Sequence, residues 1–393
     1  MVSSKIILFT SSHFYLGFPQ YRALIPELRD YKKVLINVNE MGTKKLDDEF
    51  IRKNNVSHIF DSYLELKQIE FVKFFTFKLS YYPLIYWKYK RKLMAYLYKI
   101  NPAVIITTSD MATSHRVMFT WCKRNRVPYI ILQPAFIEGI PEHYGLFKIL
   151  RYIVINKILG LPIYRKQELF GYESQKSYLF LWGEYFILKK RKRNLFLLGN
   201  PAFDILFRKF QKERKIKNAI LICTEYLDYF GKDIFDEVMK IYVKAIKSKP
   251  EITFYIKVHP RERIEKYKIL LPKSRYPNVV VVKEENLYDL FNLCDIQMSV
   301  TSFTSFEAAA VGLPIIIIRP MDCRVKFPNH FDGKIDIKVE NIEEIEDAIN
   351  LALSNEYWKK FLDKREIYFK KRLFSTDGMS AKRVANVIKE LIK

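Results

Sequence analysis

The chain has 393 residues, with 67 Lys and Arg against 43 Asp and Glu, for a formal charge of +24. Hydrophobic residues make up 49% and aromatics 15%, which suits folded cores and excludes a disordered chain. Two domains are the natural expectation at this length. The charge points to an anionic partner: nucleic acid, a membrane surface or a phosphorylated substrate.

The first apolar run, Lys5–Phe9, is followed at once by Thr10-Ser11-Ser12-His13. It reads as a buried strand, since a secretory segment needs a longer apolar stretch and a small-residue cleavage site. Val34–Val38, Ala103–Thr107 and Tyr129–Leu132 repeat the pattern, the last two preceded by Asn101-Pro102 and Val127-Pro128. Ala112–Arg124 has helical character. A second series begins near residue 218, with strands at Ala219–Cys223, Thr253–Val258, Val279–Val282, Ile296–Val300 and Pro314–Ile318. Helices are predicted at Asp233–Ser248, Leu287–Cys294, Thr304–Val311 and Ile342–Leu353. In Ser380–Ile392, Val384, Val387, Ile388 and Leu391 share one helical face. Short apolar runs alternating with amphipathic helices predict parallel strands with helical crossovers, in two doubly wound α/β halves. The expected division is a first domain over 1–207, a linker over 208–218, a second domain over 219–379, and a last helix over 380–393 that packs back on the first domain.

Two segments break this rhythm. Lys67–Lys99 holds eleven aromatics and eight Lys or Arg against the single acid Glu70. Lys148–Arg193 holds 11 basic and 3 acidic residues. Together they carry 15 of the 24 excess charges. Helical core, a nucleic-acid surface and an anionic membrane face are the readings open for the first; the mixture of aromatics with Lys favours the membrane. An AT-rich coding sequence would also enrich Lys, Ile, Tyr and Phe. No apolar stretch reaches about 18 residues, so no spanning helix is expected. Cys122, Cys223, Cys294 and Cys323 lie far apart and read as reduced thiols. No metal site is read.

Chemistry concentrates in the second half. The strand Thr253–Val258 runs into His259-Pro260-Arg261-Glu262-Arg263. This puts an imidazole and guanidinium groups at the carboxyl edge of the sheet, where open α/β sheets bind ligands and where phosphate oxygens find donors. Ser299-Val300-Thr301-Ser302-Phe303-Thr304-Ser305-Phe306-Glu307 then takes a strand through a hydroxyl-rich loop into a helix. Thr301, Ser302, Thr304 and Ser305 can meet a diphosphate there, and Glu307 can accept from ribose hydroxyls. The competing reading makes the hydroxyls N-caps, with Glu307 closing a capping box on Thr304. In the loop Thr224-Glu225-Tyr226 after Ala219–Cys223, Thr224 is a further phosphate candidate. His13, Asp110 and Glu138 follow predicted strands of the first half, and each is a candidate general base.

These motifs resemble the GT-B glycosyltransferases of surface-polysaccharide synthesis. The Ser/Thr–Glu–Ala–Gly–Pro element from Ser299 to Pro314 is similar to that of the peptidoglycan N-acetylglucosaminyltransferase and of the UDP-N-acetylglucosamine 2-epimerases. His259-Pro260 resembles the motif of bacterial sialyltransferases, Kdo transferases and CDP-glycerol glycerophosphotransferases. Trp182-Gly183-Glu184 and Gly199-Asn200-Pro201-Ala202-Phe203-Asp204 are similar to the segment closing the first domain of capsule enzymes. Gln133-Pro134-Ala135 stands where many relatives have Gln-His-Gly, and Ser299 stands where retaining members have the first Glu of Glu-x7-Glu.

The resemblance implies two Rossmann-like domains facing a cleft, and a metal-independent, inverting transfer with no cofactor beyond a UDP-, GDP- or CMP-sugar donor. It makes His13 the foremost base. The implied partners are the nucleotide sugar, a glycan or lipid-linked acceptor and an anionic membrane surface, not nucleic acid. The implied location is cytoplasmic, on the inner face of the cell membrane. A CDP-glycerol-like phosphotransferase, a UDP-N-acetylglucosamine 2-epimerase and a non-catalytic membrane or nucleic-acid-binding protein on the same fold stay open.

Overall fold

The computed structural model describes residues 3–11, 14–37, 48–60, 82–108, 113–133, 177–186, 193–209, 218–226, 232–320, 331 and 333–393. The chain forms two compact units, one of Met1–Ile205 with Arg372–Lys393 and one of Leu206–Lys371.

The first unit holds β1 (Ser3–Ser11), β2 (Tyr31–Asn37), β3 (Val56–Phe60), β4 (Val104–Thr107), β5 (Tyr129–Leu132), β6 (Tyr178–Leu181) and β7 (Leu195–Leu197). They make one parallel sheet in the order β3-β2-β1-β4-β5-β6-β7. Its helices include α1 (Phe14–Leu24), α2 (Asp48–Lys53), α3 (Tyr82–Ile100) and α4 (Thr113–Asn125), and α5 (Asp204–Lys209) follows at the boundary. Strands buried on both faces read as apolar runs, and Val104–Thr107 and Tyr129–Leu132 are buried at every position.

The second unit has β8 (Ala219–Cys223), β9 (Thr253–Lys257), β10 (Val279–Val282), β11 (Ile296–Ser299), β12 (Ile315–Ile318) and β13 (Asp336–Val339). The order is β10-β9-β8-β11-β12-β13, again all parallel. Among its helices are α6 (Lys232–Ser248), α7 (Ile264–Leu270), α8 (Leu287–Leu293), α9 (Phe303–Ala310) and α10 (Ile345–Leu353), and α11 (Asn355–Arg372) runs up to the boundary. Ile234, Val238, Ile241, Tyr242 and Ala245 give α6 its buried stripe. Strand order reverses between β8 and β11, so the loops leaving these neighbouring strands diverge and open a crevice.

The helix α12 (Ser380–Leu391) belongs to the first unit. Val384, Ala385 and Ile388 enter the core formed by Ile7, Phe9 and Leu24. Asp204 fixes its start: the two carboxylate oxygens accept the N–H groups of Ser380 and Ala381 at 2.9 and 2.7 Å. Gly199 lets the chain pass here. Its φ is +83°, and a Cβ would lie 2.4 Å from the Ser380 hydroxyl.

Trp182 and Gln133 lock two of the quoted segments together. The indole N–H donates to the Gln133 carbonyl at 2.7 Å, and the Trp182 amide donates to Gln133 Oε1 at 3.0 Å. The indole also packs edge-on against Phe186 and Phe203.

Of the two basic segments, residues 67–81, 148–176 and 187–192 lie outside the described residues. Among the described residues no helix is long and apolar enough to cross a membrane. Cys122, Cys223 and Cys294 are buried thiols.

Candidate active site

Three loops at the carboxyl ends of β8, β9 and β11 form the candidate site, and the dipeptide Thr224-Glu225 laces them together. The Thr224 hydroxyl accepts the His259 N–H at 2.8 Å and donates to Glu262 Oε2 at 2.6 Å. Glu225 reaches the other way. Its Oε1 accepts the amides of Val300 and Thr301 at 3.0 and 2.5 Å, and its Oε2 accepts the Thr301 hydroxyl at 2.6 Å. Burial pushes the Glu225 carboxyl above its ordinary range, and these donors pull it back.

The β9 loop turns tightly on itself. The Glu262 amide donates to the His259 carbonyl at 2.9 Å, and the Arg261 amide donates to His259 Nδ1 at 3.2 Å. With Nδ1 accepting, the neutral ring carries its proton on Nε2, which makes that nitrogen a donor. Burial lowers the His259 pKa first, and the charges of Arg261 and Lys283 lower it further. Lys283 is held by the Glu262 carbonyl at 2.7 Å. The Glu262 side chain also accepts from the Tyr267 hydroxyl at 2.9 Å. Arg261 and Arg263 are exposed.

After β11 the chain reverses into α9. Ser302 is the N-cap, and its hydroxyl accepts the Thr304 amide at 3.2 Å and the Thr304 hydroxyl at 2.8 Å. Its own hydroxyl proton is then open to a ligand. Ser305 faces inward. It donates to Gln297 Oε1 at 2.7 Å and lies 2.5 Å from the Ser299 hydroxyl. At the far end, the half-buried Arg365 guanidinium caps the carbonyls of Ala309 and Ala310. A carboxylate before the helix and a cation after it both complement the helix dipole.

Glu307 lies one turn into α9, partly buried. The Tyr288 hydroxyl donates to its Oε1 at 3.3 Å. Burial raises the Glu307 carboxyl to about 7, opposed only by this hydrogen bond. Glu307 in turn pushes the Tyr288 phenol upward, after burial. A carboxyl poised near neutrality, with one weak internal donor, suits paired hydroxyl donors from a sugar ring.

No known protein-family profile matches the sequence, and no curated protein sequence matches it. Solved structures do. The UDP-GlcNAc 2-epimerase of Neisseria meningitidis, bound to UDP-GlcNAc, is 15% identical and aligns over 98% of this chain and 100% of its own, with a TM-score of 0.58. The glycotransferase of kitacinnamycin is 12% identical over 100% of both chains, with a TM-score of 0.61. The wall teichoic acid polymerase TagF is 12% identical over 100% of this chain and 89% of its own, with a TM-score of 0.54. The fold is GT-B. At these identities the likeness carries the GT-B fold and not the substrate.

Within the GT-B second unit, the structure brings all eight predicted nucleotide residues to adjacent loops, but in two roles. His259, Arg261, Ser302 and Glu307 retain groups for a ligand. The hydroxyls of Thr224, Thr301, Thr304 and Ser305 are committed to Glu262, Glu225, Ser302 and Gln297, so they shape the loops. The capping-box alternative for Glu307 fails, because the cap is Ser302 and the Glu307 partner is Tyr288. Glu262 and Tyr288 are residues that sequence reasoning does not single out; it reads Glu225 only as part of the phosphate loop with Thr224, and the role of Glu225 is to hold Val300 and Thr301. His13, Asp110 and Glu138 lie outside the described residues; they follow β1, β4 and β5, which are neighbours in the first sheet. Among the described residues no group of three or more His, Cys, Asp or Glu could hold a metal ion.

Proposed function

We propose that the second unit binds a nucleotide sugar and that the chain is an inverting, metal-independent glycosyltransferase. The observation that carries this reading is the β11–α9 turn, where the Ser302 cap opens onto a helix whose Glu307 is held near neutrality, laced by Thr224-Glu225 to the His259 loop. His259 Nε2–H, Arg261 and the Ser302 hydroxyl bind the diphosphate. Glu307 accepts the ribose hydroxyls. A base drawn from His13, Asp110 and Glu138 takes the proton of the acceptor hydroxyl. The acceptor oxygen then bonds to the anomeric carbon as the bond to the diphosphate breaks, and the cations near His259 stabilise the departing charge. The acceptor is a glycan or lipid-linked saccharide at the cytoplasmic face of a membrane.

A thermal-shift screen of UDP, GDP, CDP and CMP tests the donor site. The reading expects one nucleotide to raise the melting temperature of wild type and not of Glu307→Ala; silence from every nucleotide would refute it. Two alternatives have solved structures of the same fold behind them. Conversion of UDP-GlcNAc by the protein alone, with no acceptor, would make it an epimerase. Transfer of phosphoglycerol from CDP-glycerol would place it with the teichoic acid polymerases.

A further inference from the structure

Among the described helices, α3 and α4 of the first unit stand out as a strongly basic pair. Residues 82–108 and 113–126 hold nine Lys and Arg and no Asp or Glu. In α6, by contrast, Asp233, Asp236 and Glu237 are interspersed with Lys232, Lys240, Lys244 and Lys247. An enrichment in Lys set by coding composition would act on both helices alike. It does not account for acids kept on α6 and absent from α3 and α4.

The cations of α3 are also sorted by face. Leu93 and Leu97 turn into the core, and Tyr98 packs edge-on against the buried Trp121 of α4 at 5.8 Å between ring centroids. Trp87, Lys88, Arg91, Lys92, Tyr98 and Lys99 are exposed. Their spacing of three to four residues puts them on one stripe, about 16 Å long from Trp87 to Tyr98. Lys123, Arg124 and Arg126, at the end of α4, are exposed as well. The two helices share one field, for Arg124 depresses the pKa of Lys90 after burial has done so. Lys88 with Arg91 and Lys88 with Lys92 are like-charge pairs at helical contact spacing, which weaken an isolated helix. The two most exposed large aromatics of the stripe, Trp87 at 48% and Tyr98 at 56%, stand at its two ends.

We propose that this α3–α4 face docks on an anionic lipid bilayer, with the cations in the headgroup layer and Trp87 and Tyr98 at the interface. Charge complementarity selects an anionic surface, and the amphipathic aromatics select one with an apolar layer beneath its charges. Nucleic acid would use the same cations but has no apolar layer for an indole. The inference deepens the membrane-acceptor reading above by naming the surface and its partner. It does not depend on which donor is used.

The test is flotation of the full chain with phosphatidylcholine vesicles, with and without phosphatidylglycerol, in the absence of nucleotide. Wild type is expected to float only with the anionic vesicles and to be released by high salt. K88E/R91E/K92E and, separately, K123E/R124E are each expected to weaken binding at least about tenfold. W87S is expected to lower the fraction bound at moderate salt. Circular dichroism and the nucleotide thermal shift, read without vesicles, should match wild type in all three. These controls separate a failure of docking from a failure of the donor site. No binding to anionic vesicles, undiminished binding by both charge-reversed variants, or tighter binding to an oligonucleotide at the same salt would each overturn the proposal.

Discussion

If Glu307 receives the ribose hydroxyls, binding must release a proton. In the free protein burial holds this carboxyl near 7, against an ordinary value of 4.5. Two hydroxyl donors stabilise the carboxylate and draw the value back down. If they restore the ordinary value, the change is 2.5 units, and each unit is about 1.4 kcal/mol. By linkage, affinity is then full above neutrality and falls as pH drops below 7. The dissociation constant should rise about twentyfold between about pH 7.5 and about pH 5.5, some ~1.8 kcal/mol. Titration calorimetry with the nucleoside of the preferred nucleotide isolates this effect, because it carries no phosphate to titrate or to meet His259. Calorimetry in buffers of different ionisation enthalpy counts the released proton directly. Glu307→Gln should bind weakly with a flat pH profile. A flat profile in wild type, or an equal slope in Glu307→Gln, would refute the assignment.

The same shift has a stability consequence of opposite sense. A raised carboxyl pKa favours folding most below the unfolded value, so ligand-free wild type should lose up to ~3 kcal/mol between pH 4.5 and 7 that Glu307→Gln keeps, as read by urea unfolding across that range. Glu225→Ala strips the acceptor from two amides and a hydroxyl, at about 3 kcal/mol. Glu225→Gln keeps one acceptor oxygen and should cost about 1 kcal/mol. Hydrogen exchange at the amides of Val300 and Thr301 should speed in the first and stay slow in the second. His259→Ala should weaken binding of nucleoside diphosphate about tenfold or more and leave nucleoside binding unchanged; equal losses for both ligands would remove His259 from the phosphate. Asp204→Ala leaves two amides at the start of α12 without their carboxylate and should cost about 2 kcal/mol, visible as a lower melting temperature of the first unit.

The second sheet was legible in the sequence wherever burial was complete. The runs Ala219–Cys223 and Ile315–Ile318 are buried at every position, and such strands cannot be written without apolar residues. Asp336–Val339 escaped because this strand is only partly buried and carries Asp336 and Lys338. Val56–Phe60 and Leu195–Leu197 escaped because their short, mixed patterns match a loop equally well. The site was legible at its polar headline residues. Which hydroxyl caps α9 depends on two residues of register, and Ser302 rather than Thr304 holds the position. The role of Glu225 comes from Val300 and Thr301, seventy-five and seventy-six positions on. No local pattern announces that contact; only the adjacency of β8 and β11 in the sheet creates it.

The return of residues 372–393 to the first unit makes the second unit an insert within it. On the ribosome, then, the order of synthesis is not the order of completion. Residues 206–371 can close their sheet while the earlier unit still lacks Val384 and Ile388. Until α12 emerges, Asp204 has no helix to cap and the apolar floor around Phe9 stands open. Nascent chains stopped before α12 should therefore bind chaperones through the first unit alone, with the second already resistant to protease.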